Sequence, residues 1–501
     1  MASEAHPRLR RMADLNLSAL HKGFAYQLDA VEAVKHLPFA ALFHEQGLGK
    51  TKIGIDVALE WLREDVVDSI LFVTKRSLVQ NWLDEIRAHS YLKPRVMDQN
   101  HASNFYAFNS QTPLYLGHYE VIRSEERRME LFLKTRRVGV ILDEAQKIKN
   151  PETDLAKSFH RLAPRFVRRI IMTGTPVANR PYDLWSQVFF LDQGASLGTD
   201  FPSFKQQLDL TNDLWANDSR RERFEDALAG VFARIREFSV RETKASTGIE
   251  LPEKRIQNVP VELAPRQRAL YNEIKDELSA SVVVGSQLIE DDAEEVLKRL
   301  LRLVQLASNP RLIDESYEEQ PGKFAALDRL VEGAVSAGSK LIVWSSFVAN
   351  VDQLANHLKP YGAVKVHGAL DIAARNEAIS VFKRDPDCRV LVATPGAAKE
   401  GLTLTVANHA IFYDRSFSLD DYLQAQDRIH RISQSQTCYV WNLIGADTVD
   451  EWVDALLAAK RLAAQLAQAD VDKNEYSRLA NYDFGRIVKE ILEAHGQTDE
   501  G

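Results

Sequence analysis

The feature that most restricts the fold of this chain is a series of short apolar runs, each followed by a loop and a helical pattern. The clearest are Ser69–Val73 (SILFV), Val138–Leu142 (VGVIL), Arg169–Met172 (RIIM), Lys340–Trp344 (KLIVW), Arg389–Ala393 (RVLVA) and Ala410–Tyr413 (AIFY). They are rich in Val, Ile and aromatics and show no polar alternation. A strand exposed on one face alternates, whereas a continuous apolar run suits a strand covered on both faces of a parallel sheet. Alternation of such strands with helices predicts an α/β fold. The runs fall into two groups, one before about residue 180 and one after about residue 335. Between them, residues 201–240 and 262–308 read as mostly helical. Val296, Leu300, Leu303 and Val304 recur at helical spacing. Leu251-Pro252 and Asn309-Pro310 mark breaks. The reading is two α/β lobes with helical insertions between them.

Composition narrows the function classes. A length of 501 residues suggests two to four domains at about 100–200 residues each. Hydrophobic residues at 45% and charged residues at 27% exclude a disordered chain. No apolar run reaches about 18 residues, so no membrane-spanning helix is expected. The net charge of −8 excludes a basic nucleic-acid coat. Any nucleic-acid binding would need its basic groups gathered in a cleft or stripe. Cys388 and Cys438 are the only cysteines, too few for a disulfide framework or a four-cysteine zinc site, so a reducing compartment is expected. Met1–Leu20 carries Arg8, Arg10 and Arg11 with no apolar segment behind them, which predicts no secretory signal and a cytoplasmic location.

Four motifs carry chemistry. Gly47-Leu48-Gly49-Lys50-Thr51 follows the apolar stretch Phe39–Phe43 and precedes a helical pattern. Glycines there let backbone N–H groups approach phosphate, Lys50 would reach the β/γ-phosphates, and the Thr51 hydroxyl would hold Mg²⁺. The full phosphate-loop pattern asks for Gly where this chain has His44, and a glycine-rich turn with a surface lysine is the plain alternative. Asp143-Glu144-Ala145-Gln146 follows VGVIL. Adjacent carboxylates at a strand end suit one Mg²⁺ ligand and one group that orients or deprotonates water, or else form only a polar loop. Thr173-Gly174-Thr175-Pro176 follows RIIM and reads as a coupling loop or an ordinary turn. In Gln424–Arg431 (QAQDRIHR), Arg428 and Arg431 are spaced to share a helical face. They are either a solvated basic face or arginine fingers for a γ-phosphate.

Taken together and in order, these motifs resemble the Swi/Snf-type helicase-like ATPases of helicase superfamily 2. Gly23–Gln27 (GFAYQ) is similar to the family's adenine-reading Gln motif, HEQGLGKT to its DEMGLGKT, and Phe72–Ile86 to its motif Ia. DEAQKIKN resembles the DEAH-box, and Thr173–Trp185 resembles motif III. Arg241–Lys244 (RETK), Leu251–Lys254 (LPEK) and Ser308–Leu312 (SNPRL) resemble signposts between the lobes. Lys340–Phe347, Val366–Gly368 with Arg375, Thr394–Leu404 and QAQDRIHRISQ look like motifs IV, IVa, V and VI. The resemblance spans about residues 20–455.

It implies two RecA-like parallel-sheet lobes. The expected division is an ATP-binding lobe over 1–193, helical insertions and an inter-lobe segment over 194–320, a second lobe over 321–460 and a helical tail over 461–501. It implies ATP and Mg²⁺ as ligands and double-stranded DNA as partner, with a monomeric motor that closes on ATP and needs no membrane. By resemblance, Gln27, Gly47, Gly49, Lys50, Thr51, Glu400 and Gly401 bind nucleotide. Lys50, Asp143, Glu144, Gln146, Arg428 and Arg431 are catalytic, with Thr51 and Asp143 on the metal. Lys75, Ser77, Lys149, Asn150, Ser345, Arg375, Thr394 and Lys399 are the DNA candidates. Trp82 reads as core or as a base-stacking platform.

The chain departs from the family at Gln146, which replaces the usual His, and at Arg415–Ser418, which replaces a Trp-Asn-Pro. A carboxamide makes similar neutral hydrogen bonds, so ATPase activity is expected to survive. No bromodomain-, chromodomain- or zinc-finger-like segment is evident, which aligns the chain with compact bacterial or phage members. Expected roles are DNA repair, recombination, replication-fork handling or phage–host conflict. A strand-separating helicase on DNA or RNA, or an inactive DNA-binding scaffold, are the competing functions.

Overall fold

A computed structural model describes residues 15–110, 112–177, 179–209, 217–248, 250–283, 293–397 and 403–480, of which 277–283 and 293–299 are described by backbone alone. The first sheet contains β1 (Phe39–Leu42), β2 (Ser69–Thr74), β3 (Arg95–Val96), β4 (Leu114–His118), β5 (Val138–Asp143), β6 (Arg168–Met172) and β7 (Ser239–Val240). Its order is β3-β4-β2-β5-β6-β1-β7. The second contains β8 (Lys254–Val261), β9 (Leu341–Trp344), β10 (Val364–Val366), β11 (Val390–Ala393), β12 (His409–Phe412) and β13 (Cys438–Gly445), in the order β10-β11-β9-β12-β13-β8. Every pairing is parallel. All six apolar runs named from the sequence are strands in these sheets.

Burial on both faces explains the missing alternation. Leu42, Ile70, Phe72, Ile141, Ile170 and Met172 pack with Ile53, Val57 and Trp61 of the helix Lys50–Arg63. A Cβ at Gly139 would lie 2.9 Å from the Trp61 ring, so β5 needs a bare backbone where that indole covers it. In the second sheet, Ile342, Trp344, Leu391 and Phe412 face Phe382 and Ile429. Leu341, Val343, Val390 and Ile411 face Leu327, Val331 and Leu354.

The chain forms two compact units. One gathers the described residues up to Asp209, those of 224–249, and Leu466–Asp470; the other gathers 250–465 and the described remainder. The stretch 194–320, expected as one inter-lobe segment, therefore contributes to both. It supplies β7 at the edge of the first sheet and β8 at the edge of the second. β8 reads KRIQNVPV and is largely exposed, as an edge strand can be, and Pro260 is tolerated there because an edge position need not donate. Its polar sequence hides it from a search for apolar runs.

Strand register sets the site. Leu42 and Asp143 both pair with Met172, so β1, β6 and β5 end side by side. The loops leaving these ends meet where parallel α/β sheets hold ligands. Among the described residues, no helix is long and apolar enough to cross a membrane.

Candidate active site

The loop after β1 is shaped by two left-handed glycines, Gly47 at φ 87° and Gly49 at φ 72°. Gly49 caps the helix that begins at Lys50, so the positive end of a helix opens into the loop. Lys50 Nζ donates to the carbonyls of His44 at 2.9 Å and Glu45 at 3.3 Å. A lysine folded back on its own loop is placed to exchange these carbonyls for phosphate oxygens. His44, where the general pattern has Gly, is fully buried. Burial and the Lys50 charge push its imidazole down to about 4, so it adds no second cation.

Gln27 is buried and bridges two elements. Its Oε1 accepts from Phe24 N at 3.0 Å and its Nε2 donates to the Leu48 carbonyl at 3.1 Å. A Cβ at Gly49 would lie 2.4 Å from Gln27 Nε2. In this structure the expected adenine reader is a strut that ties the helix Ala25–Val34 to the phosphate loop.

The carboxylate pair ends β5. Asp143 Oδ2 accepts from Trp82 Nε1 at 2.8 Å and from Thr74 Oγ1 at 3.2 Å, and Oδ1 accepts from Glu144 N at 3.0 Å. Burial, then repulsion from Glu144, pushes the Asp143 carboxyl up to about 6. A divalent cation would relieve both effects, and the donor set fits Mg²⁺ chemistry. Glu144 sits at φ 55°, a left-handed conformation costly for a non-glycine residue. Gln146 Nε2 donates to Glu144 Oε2, and Lys75 Nζ lies 3.4 Å from the same oxygen. Trp82 is buried against Phe72. It is a core residue, not an exposed stacking platform, and it also orients Asp143. Tyr119 hydroxyl donates to the Asp143 carbonyl at 2.8 Å.

Two further segments brace the loop, and the sequence reading assigned neither this role. A Cβ at Gly174 would lie 2.5 Å from Gln46 Cγ and 3.1 Å from Lys50 Nζ, so the TGTP segment is pressed against the phosphate loop. The RETK segment holds its other side. Phe43 N donates to Val240 O, Glu45 N to Glu242 O, and Arg241 Nη1 to Phe43 O. Lys244 N donates to Glu45 Oε2 at 2.8 Å. Arg241 is itself paired with Asp470. The contacts continue the pairing of β1 with β7, since RETK directly follows Ser239-Val240.

In the second unit, the helix Leu419–Gln426 ends before Arg428. The expected shared helical face is therefore corrected to a turn. Arg428 is buried, with its carbonyl accepting from Leu404 N, so it is not a solvated group. Arg431 donates from Nε to the Asp427 carbonyl at 3.0 Å and from Nη1 to Thr403 Oγ1 at 2.8 Å. Ser345 is also corrected as a DNA-facing hydroxyl. It is fully buried and donates to Asp414 Oδ2 at 2.6 Å, so it serves the interior.

Among the other DNA candidates, Lys149 pairs with Asp183 at 3.0 Å, and exposed Asn150 accepts from Glu152 N. Ser77 and Arg375 are half-buried, as is Thr394, whose hydroxyl accepts from Ala397 N. Thr51 is half-buried in the first turn after Lys50. Lys399, Glu400 and Gly401 lie outside the described residues.

The SNF2-related domain family matches residues 33–312, and the helicase conserved C-terminal domain matches 322–433. An uncharacterized ATP-dependent helicase of Mycoplasma pneumoniae is 27% identical over 96% of this chain and 46% of its own length. Lymphoid-specific helicase of Homo sapiens is 23% identical over 90% and 63%. The ISWI chromatin-remodeling complex ATPase ISW1 of Saccharomyces cerevisiae is 24% identical over 82% and 37%. The chain thus spans 46%, 63% and 37% of these relatives' lengths. A solved Sulfolobus solfataricus SWI2/SNF2 ATPase core in complex with dsDNA is 25% identical, covering 96% of this chain and 99% of that one with a TM-score of 0.41.

Proposed function

This chain belongs to the SNF2-related family, and from that membership and the strand-end site we propose that it is a DNA-dependent ATPase that translocates on double-stranded DNA. The observation that carries the chemistry is the convergence of Lys50, Asp143 and the Gly174 turn on the ends of three neighbouring strands. Lys50 and the backbone N–H groups of the glycine loop bind the phosphates. Thr51 and Asp143 would hold Mg²⁺, which supplies charge neutralisation on the phosphates. Glu144 accepts the proton of the attacking water, and Gln146 orients its carboxylate. Arg428 and Arg431 are assigned the charge that develops on the transferred phosphoryl group.

Duplex DNA is the proposed track, held through its phosphates and so without regard to sequence. The net charge of −8 requires the cations that bind it to be local. The test is phosphate release with duplex DNA, single-stranded DNA and RNA. Stimulation greatest with duplex, weakening as salt rises, supports the reading. Equal or greater stimulation by RNA contradicts it, and displacement of one strand from a tailed duplex would make the protein a strand-separating helicase. Absence of hydrolysis under all conditions would make it a scaffold.

A further inference from the structure

Lys75 is one of the residues placed on the DNA side by resemblance, yet its ammonium lies 3.4 Å from Glu144 Oε2. Both side chains are about one-fifth exposed, at 20% and 21%, so the pair is sheltered but reachable from solvent. The contact follows from the sheet. β2 is the neighbour of β5 in register, with Val73 paired to Leu142. Lys75 therefore leaves the tip of β2 beside the strand that ends in Asp143, while Thr74, one residue earlier, binds Asp143 itself.

Two donors thus converge on one oxygen of the candidate base, Lys75 Nζ and Gln146 Nε2. Gln146 orients the carboxylate from within its own turn, whereas the Lys75 ammonium holds the same oxygen from the neighbouring strand, so the position of Glu144 toward an attacking water depends on whether Lys75 is engaged. Lys75 is followed by Arg76, which is exposed, and by Ser77. The three form a short cationic and hydroxyl-bearing turn, Arg76–Leu78 being a 3-10 helix capped by Lys75. Such a turn presents donors to a phosphate diester at the same edge where it touches the base.

We propose that Lys75 restrains Glu144 when no nucleic acid is bound and transfers its ammonium to a backbone phosphate of DNA when it is, so that DNA binding releases the base. Lys75 is then a positioning residue for the water-activating step, and one side chain links the polyanion to the chemistry. No bond is made or broken in the exchange, since an ammonium trades one oxyanion for another. The inference rests on Glu144 being the base and on DNA being the partner.

The experiment is steady-state phosphate release by the full chain and its Lys75→Met, Lys75→Gln and Lys75→Arg variants, with and without duplex DNA. ATP affinity and thermal unfolding are measured on the same samples. The Met and Gln variants should hydrolyse ATP without DNA roughly fivefold faster than wild type, a change of about 1 kcal/mol, with ATP affinity unchanged. Their stimulation ratio should shrink accordingly, and Lys75→Arg should keep the wild-type ratio. A residue that only binds DNA would lower the stimulated rate and leave the DNA-free rate alone. DNA-free turnover of folded Met and Gln variants at or below wild type overturns the proposal. If the variants exceed a wild type that DNA does not stimulate, the restraint on Glu144 stands and the DNA reading falls. A wild type that does not hydrolyse ATP at all defeats both.

Discussion

Two aspartates occupy matching places in the two sheets and do different work. Asp143 ends β5 and Asp414 lies just beyond β12, each in the interior of a parallel sheet. Asp414 Oδ2 accepts from Ser308, Ser345 and Asn350 side chains, and its Oδ1 accepts from Ser346 N at 2.6 Å. It is saturated and buried, and it fastens the SNPRL segment to the tip of β9. Asp143 is also buried and hydrogen-bonded, but it shares its strand end with a second carboxylate, and repulsion adds to burial in pushing it up. The same architecture thus makes a structural knot where donors outnumber charge, and a cation-seeking site where like charges are held together. The groups proposed as reactive in the second unit are the arginines of the turn after the helix Leu419–Gln426, not its sheet-tip aspartate.

The contrast breaks most visibly at that turn. Arg431→Ala together with Arg428→Ala should lower DNA-stimulated turnover by roughly 10³–10⁵, as arginine fingers do in other NTPases. ATP affinity measured by equilibrium titration should stay near wild type, and near-normal turnover would remove the finger role and leave the pair only its contacts within the turn. Arg431→Lys should rescue poorly, since an ammonium lacks the planar fork. Asp414→Ala should act on stability instead. Leaving the buried donors of Ser308, Ser345 and Asn350 without an acceptor should cost about 3 kcal/mol, read as a shift in a denaturant transition. A loss of turnover with unchanged unfolding would give Asp414 a chemical role.

The effects expected at the braces are smaller. Gly174→Ala places a methyl against Gln46 and the Lys50 ammonium and should weaken ATP binding by roughly tenfold, about 1.4 kcal/mol. Unaltered affinity would mean that the TGTP turn can retreat from the loop. The smallest is Gln146→His. The carboxamide already donates to Glu144 and a neutral imidazole can do the same, so turnover should change by no more than a few-fold.

The sequence was most legible where one physical cause acts alone. Strands buried on both faces need continuous apolar runs, so VGVIL and RIIM declared themselves and brought the loops at their ends with them. Lys50, Asp143 and Glu144 could be named as candidates because phosphate and metal chemistry require those residue types at strand ends, which is where the structure places them. The strand β8 was hidden because an edge position tolerates KRIQNVPV. The turn at Arg428 was misread because spacing alone does not reveal where a helix stops, and Gln426 is its last residue. Ser345 was misjudged because a hydroxyl at a strand tip looks the same in sequence whether it faces solvent or a buried carboxylate. The Arg241 and Lys75 contacts were invisible because they join segments whose proximity is set by sheet order, with partners far away in the chain.

The central claim is that the strand end at Asp143 and Glu144 performs hydrolysis, and Glu144→Gln tests it most directly. The substitution keeps the size of the side chain and removes the proton acceptor. ATP binding by equilibrium titration and phosphate release with duplex DNA should be measured on the same preparation. The account predicts wild-type affinity with turnover reduced by roughly 10²–10⁴, the usual contribution of a general base. Wild-type turnover in this variant would contradict it and remove Glu144 from the chemistry.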